Sequence, residues 1–427
     1  MERMERAAVF RLNDLNGAKR LNVWNVWNWP LHRRTDRSKT AIFTKHSLLD
    51  DSPVGRYGFR QRKKVFKFPI RFKGGALKTK SFAKSFVQTA LTTALMLAGA
   101  SATSGWAQNV KITPLGTHAG ELCDRDRATI FEDPTGVRLL YDVGQSTMGA
   151  DDPRLGDIHA VLLSHAHGDH IGDQKMQALG AGTCEKPDLV PAGAHSVTAE
   201  IAAAKNAAIV MVVDLSVFIG KKIEGLTGKP TPACSQAGGG TTVPIAAPCR
   251  SNIHLGGMHV LKATGAAQGV EITIVYAAHA NSLPLSLLGE AEQKSLAANG
   301  VSVEPGPPTG FVIKFTNGLT AYLSGDTGIH TEMKTIVNDF HKANLTLLNL
   351  GPNAMTASSA AHAVNELIRP AAVIATHVNE GATSDGKLKP NSRTAAFIKL
   401  SKRPVHLAIS GRTMEFDGSA KCVAGCN

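Results

Sequence analysis

One short segment, Ser164-His165-Ala166-His167-Gly168-Asp169-His170, packs three imidazoles and a carboxylate into six positions. A lone histidine at a strand end is ordinarily structural; four metal-competent groups together need a chemical reason. Imidazole nitrogen and carboxylate oxygen suit borderline divalent ions such as zinc. A ligand set without thiolate fits an open catalytic site better than a closed structural one. Gly168 permits a tight turn, so that His165 and His167 face one way and Asp169 and His170 another, an arrangement that serves two ions. Further along, His279, Asp326 and His377 stand singly.

The elements that must position these groups share a pattern. Residues 158–164 form a short apolar run that stops at the histidine cluster. The β-branched runs 270–277, 319–324 and 371–376 stop just before His279, Asp326 and His377. Functional groups in sheet proteins with helical crossovers gather beyond the carboxyl ends of strands, where loops converge. Four strand ends are therefore expected to share one site. Residues 110–115 read as a strand, and 128–131 and 138–143 as a hairpin around Asp133-Pro134-Thr135-Gly136. The Ala-rich stretch 198–208 reads as a helix feeding a strand at 209–213. Helices are expected at 329–338 and at 357–368, ahead of Pro370. Residues 225–251, rich in Gly, Pro and Thr, read as a surface excursion which, with 281–308, would form the pocket rim. The class is α/β.

The ordered set, HxHxDH after a strand, then a lone His, a Gly-Asp and a final His, resembles the metallo-β-lactamase superfamily over roughly residues 110–418. That resemblance implies an αββα sandwich with a single catalytic domain. It also implies two divalent ions, Zn2+ first with Mn2+ or Fe2+ as alternatives. His165, His167 and His279 would hold the first ion, Asp169, His170 and His377 the second, and Asp326 would bridge them. Asp169 and His377 would be catalytic as well, Asp169 orienting the nucleophile or passing a proton. Two cations about 3.5–4 Å apart can share a water and bring its pKa down to about 7, so a bridging hydroxide would cleave an ester, lactone, amide or phosphoester. Phosphodiesterase, sulfatase or thioesterase chemistry, or metal binding without catalysis, are the alternatives on this fold. The segments 324–328 and 351–356 look most like the ascorbate-phosphate-lactonase-like branch.

Other groups are weaker candidates. Asp142 is placed to support a ligating histidine or to be a buried turn carboxylate. His118 reads as a polar loop residue rather than a pocket acid. His195 and His330 precede helical stretches and read as capping or solvent-facing. Tyr276 and Tyr322, inside strands, read as core.

Composition divides the chain. Residues 1–107 hold all four Trp, no Cys, and 21 Lys or Arg against 6 Asp or Glu, a net +15; the total of +13 leaves −2 for the remainder. A near-neutral main body lacks the electrostatic footprint of a nucleic-acid binder, and a small-molecule substrate is expected. Lys78, Lys80 and Lys84, the apolar run 86–100 and the small residues after it have the anatomy of a secretory signal peptide at 78–107, with cleavage after Ala102 or Ala107. Residues 1–77 show no periodicity; we expect translation to begin near Leu77, the alternative being a basic binding arm. Export to the periplasm or beyond suits the six Cys, an even number in an oxidising compartment. No membrane partner is expected beyond the export signal. Proximity favours pairing Cys234 with Cys249 and Cys422 with Cys426, leaving Cys123 to Cys184.

Overall fold

The computed structural model describes residues 109–426. The expected leader and signal peptide lie outside the described residues. Two eight-stranded sheets carry the fold. The first runs, in spatial order, Cys422–Ala424, Met414–Phe416, Val110–Pro114, Thr129–Glu132, Arg138–Tyr141, Ala160–Leu162, Ala208–Val210, Cys249–Arg250. The second runs Val405–Leu407, Ala372–Thr376, Leu345–Asn349, Thr320–Leu323, Thr309–Lys314, Val270–Tyr276, Met258–Ala263, Thr241–Val243.

The period-two alternation of strands sorts the core. In the first sheet Ile112, Phe131, Leu139, Tyr141 and Leu162 face the second sheet, while Ile130, Leu140, Val161 and Ile209 face helices Val197–Ala204 and Val213–Thr227. The faces meet through rings: Phe131 stacks on Phe315 at 5.9 Å and Tyr141 meets Phe311 edge-on at 6.1 Å. On the far side of the second sheet, Met333, Val337, Val364 and Phe397 of three helical stretches close the fourth layer. This is the αββα sandwich expected from the sequence.

The hairpin turn is as read: Asp133 accepts from the Gly136 amide through its carbonyl and from Thr135 through its carboxylate. Several expectations need correction. Helix 198–208 ends at Ala204, and the following strand begins at Ala208. The helix expected at 329–338 is Met333–Phe340. Helix Val213–Thr227, closed by the left-handed Gly228, was not expected, although Leu215, Ile219 and Ile223 bury one face at a spacing of four. The segment 225–251 is not merely a surface excursion. It supplies an edge strand to each sheet, Thr241–Val243 beside Met258–Ala263 and Cys249–Arg250 beside Ala208–Val210, with Cys234 bonded to Cys249. Nor does it form a rim. Thr241 to Val243 pair with Leu261 to Ala263, and Leu261 lies opposite Val270, the end of that strand remote from His279. Cys422 pairs with Cys426, as proximity favoured, and Cys123 with Cys184, the pair that remained. Among the described residues no helix is long and apolar enough to cross a membrane.

Candidate metal centre

Four strand ends deliver the site. Ala160–Leu162 leads to His165 and His167, which precede the next helix, His167 with φ −58° and ψ 146°. Asp169 and His170 lie in one helical turn, Gly168–Ile171, capped by the left-handed Gly172. The tight turn expected at Gly168 is instead one turn of helix, which begins after His167. Val270–Tyr276 leads to His279, Thr320–Leu323 to Asp326, and Ala372–Thr376 to His377, itself at φ 48°.

The loops are bonded to one another. Thr309 donates its amide and hydroxyl to the Ser164 carbonyl, joining the sheets beside His165. The Ala278 amide donates to the Thr327 hydroxyl, and the Gly328 amide to the Ala278 carbonyl, fixing the His279 and Asp326 loops together. Gly325 is obligatory: it has φ 58°, and a Cβ there would stand 2.5 Å from the Thr309 carbonyl oxygen. Its amide donates to the Tyr141 hydroxyl at 3.0 Å.

All seven sequence-predicted ligands converge. Their donor atoms form three overlapping groups, each within 4.8 Å: His165, His167 and His279; His165, His170 and Asp326; Asp169, His170 and His377. His377 Nε2 lies 2.9 Å from Asp326 Oδ1 and 3.4 Å from Asp169 Oδ2, and His279 Nε2 lies 3.5 Å from Asp326 Oδ2. Asp326 thus touches residues of both triads. His167, Asp169 and His279 are partly exposed while His165, His170, Asp326 and His377 are buried, so the centre opens on the side of the first three.

Electrostatics fit a cation. Burial, with the neighbouring imidazoles, holds His165 well below the ordinary histidine pKa and lowers His167 and His279, so these rings present neutral lone pairs. Burial works against charge on His170, yet Asp142, Asp169 and Asp326 outweigh it and push its pKa up to about 10. Burial likewise opposes charge on Asp169 and Asp326, but the surrounding histidines hold both well below the carboxylate range, Arg127 contributing at Asp169. Buried His165 Nε2 has no hydrogen-bond partner, as expected of an atom reserved for a ligand. The residues therefore fit divalent metal.

Asp142 does what a supporting carboxylate should. Its Oδ1 accepts from the Ser164 amide, and its Oδ2 from the Ser164 hydroxyl and from His170 Nδ1, each at 2.8 Å. With Nδ1 so engaged, His170 Nε2 faces His377 and the acids.

The weaker candidates stand outside the triads. His118 binds Thr117 and the Gly182 carbonyl in its loop. His195 packs near Gly225 of helix Val213–Thr227. Tyr322 is core, but Tyr276 is 38% exposed and meets His330 edge-on at 5.3 Å, correcting the expectation that it is buried. Sequence reasoning missed three residues. Asn281 accepts from the Ala166 amide and donates to the Gly306 carbonyl, so 281–308 does reach the metal loop as expected. Arg127 grips Asp169, and Asn379 accepts from Arg127. A lone Arg or Asn carries no motif, and only the proximity of Asn379 to His377 offered a signal.

Comparison with known proteins agrees with this geometry. A family model described as a beta-lactamase superfamily domain matches residues 138–378. A UPF0173 metal-dependent hydrolase of Polynucleobacter asymbioticus is 29% identical over 150 residues, which cover 35% of this chain and 48% of that protein's length, less than half of it. One from Pelotomaculum thermopropionicum is 25% identical over 296 residues, 68% of this chain and 96% of that one. Among solved structures, Igni18, a metallo hydrolase of Ignicoccus hospitalis, is similar at 20% identity and a TM-score of 0.44, covering 72% of this chain and 99% of that chain. With the ligand order, the sandwich and the family match in agreement, the chain belongs to the metallo-β-lactamase superfamily.

Proposed function

We propose that this protein is a metal-dependent hydrolase that holds two divalent ions, zinc first among them, and cleaves an ester, lactone, amide or phosphoester bond of a small molecule. The observation that carries the reading is the chain of three ligand groups, in which the group of His165, His170 and Asp326 shares His165 with one neighbour and His170 with the other, so that the donors extend over more than one cation position. Divalent ions there supply a Lewis acid and a water made nucleophilic near neutral pH.

The chain's own residues do the rest. His165, His167 and His279 offer neutral nitrogens, and the last two stand on the open side, where substrate enters. Asp142 holds the His170 proton at Nδ1, leaving Nε2 to ligate. Asp169, gripped by Arg127 and held anionic, orients rather than carries a proton. The site needs no Ser or Cys nucleophile, and all six Cys are in disulfides.

Metal analysis should find close to two ions per chain. Asp169→Ala and His279→Ala should each lower metal content and reduce hydrolysis by more than about 100-fold across a panel of aryl esters, lactones, a cephalosporin and aryl phosphodiesters. Undiminished turnover in both variants would overturn the assignment. We also propose export, supported by the signal-like 78–107 segment and by three disulfides suited to an oxidising compartment. N-terminal sequencing of native protein should start just after residue 102 or 107; a start within 1–77 would refute it.

A further inference from the structure

Arg127 lies 42 residues before Asp169 in sequence and buries its side chain against it, with 1% exposed. All five guanidinium N–H groups are spent. Nε and Nη2 donate to the same oxygen, Asp169 Oδ2, at 3.2 and 2.9 Å. Nη2 also donates to Asn379 Oδ1, two residues beyond the ligand His377. Nη1 donates to the carbonyls of Asp124 and Asp126, at 2.9 and 3.0 Å. Burying a guanidinium is costly unless each donor is answered, and here each is. The floor is shaped for the pair: a Cβ on Gly144 would stand 2.7 Å from the Asp169 carbonyl oxygen and 2.8 Å from Arg127 Cβ. The loop that carries Arg127 is anchored in turn by the Cys123–Cys184 bond and by the Asp124 amide on the Cys184 carbonyl.

The oxygen so gripped is the one nearest the other two donors of its triad, 3.4 Å from His377 Nε2 and 3.9 Å from His170 Nε2. We propose that Arg127 is a positioning residue that fixes Asp169 Oδ2 in the second triad before metal arrives, so that its loss weakens the second metal position selectively and spares the first. This rests on the two-ion reading above. The sign follows from two opposing effects. Removing the cation relieves repulsion of an incoming metal. It also deprives a largely buried carboxylate of both its donors, and Asp169, with 21% of its side chain exposed, can then turn outward, away from His170 and His377. Loss of a supporting partner typically costs 10–100-fold in metal affinity, and we assign the net effect to this second cause. Lysine keeps the charge but offers a point ammonium in place of the planar fork, so it cannot serve Asp169, Asn379 and two carbonyls together. Its effect should be intermediate.

The test is a stepwise Co2+ titration of the chelator-stripped full chain, followed by visible absorption with a competing chelator. The parent should take up two equivalents. Arg127→Met should bind the first as the parent does and the second about 10–100-fold more weakly, and adding His279→Ala to it should remove most of the remaining uptake. Arg127→Lys should show the same selectivity with a smaller loss. Thermal melts of the stripped proteins separate this from a structural role: equal weakening of both equivalents, in step with a lower apo Tm, overturns the proposal, as does parental affinity for both. If Arg127→Met fails to fold, Arg127→Lys decides by the same criteria. A parent that binds only one equivalent refutes the two-ion reading itself, an outcome read before any variant is made.

Discussion

Replacing Asp142 with Asn tests whether the metal centre depends on a residue that never touches metal. Asp142 is 1% exposed and answers three donors: the Ser164 amide, the Ser164 hydroxyl and His170 Nδ1. An amide of the same shape keeps one oxygen. If that oxygen stays with the Ser164 amide, the new NH2 faces the Ser164 hydroxyl, which can turn to accept from it, and the His170 N–H, which cannot; if it turns, it abandons the Ser164 amide. Either way one buried hydrogen bond to a charged acceptor is lost, about 1.5–3 kcal/mol. In the first case His170 can recover only by moving its proton to Nε2, the nitrogen meant for metal. The affinity lost should be about 10–100-fold, or about 1.4–2.7 kcal/mol. Denaturant unfolding of the stripped protein gives the stability cost, and competition against a chromogenic chelator gives the affinity. Imidazole NMR adds a third reading: the His170 pKa, pushed up to about 10 partly by Asp142, should fall in the variant. Metal affinity equal to the parent's, with the His170 pKa unmoved, would mean that Asp142 does not orient the ring.

The disulfides offer a paired comparison. Loop-closure entropy assigns about 4 kcal/mol to Cys123–Cys184, separated by 61 residues, and about 3 kcal/mol to Cys234–Cys249, separated by 15. Double serine replacement should lower stability by up to these amounts in each case, but only the first, which anchors the Arg127 loop, should weaken metal uptake; equal effects on metal would contradict the placement of 225–251 at the far end. Acid stability supplies another test. Burial pushes His259 down to about 4, so between about pH 6.5 and 4 the unfolded chain binds a proton that the folded chain refuses. The stability this neutral ring contributes is present above that window and lost as pH falls through it, on the order of 2–3 kcal/mol. His259→Gln, measured by denaturant unfolding of stripped protein, should flatten that limb; an unchanged slope would refute it.

The seven residues that converge were legible in the sequence because one rule repeats, a strand that stops where a metal-competent group begins, and four runs obeyed it. The hairpin at Asp133 was legible because its turn residues are local. What escaped depends on partners distant in sequence. Thr241 to Val243 sit in a Gly/Pro-rich stretch whose composition hides a three-residue strand; only pairing with Leu261 to Ala263 makes it one. Helix Val213–Thr227 was concealed because its first residue, Val213, continues a β-branched run, although Leu215, Ile219 and Ile223 carried the helical period. Arg127 was invisible for another reason. Its significance lies wholly in being buried against Asp169 and Asn379, and no spacing announces burial.

The same distinction explains how the centre divides its labour. The groups legible by type, His165 to His170, His279, Asp326 and His377, can bind metal wherever they converge. The supporting groups determine how they converge: Asp142, already a candidate in the sequence, sets the ring of His170, while Arg127 and Asn281, legible only in three dimensions, set the carboxylate of Asp169 and the backbone between His165 and His167. Each acts on a different part of the HxHxDH segment, from a different stretch of chain. A ligand set held from three directions keeps its geometry without metal, and the entropy of ordering seven side chains is then met by folding rather than by binding. It follows that affinity should be more sensitive to these three residues than the contacts between ligands alone would suggest.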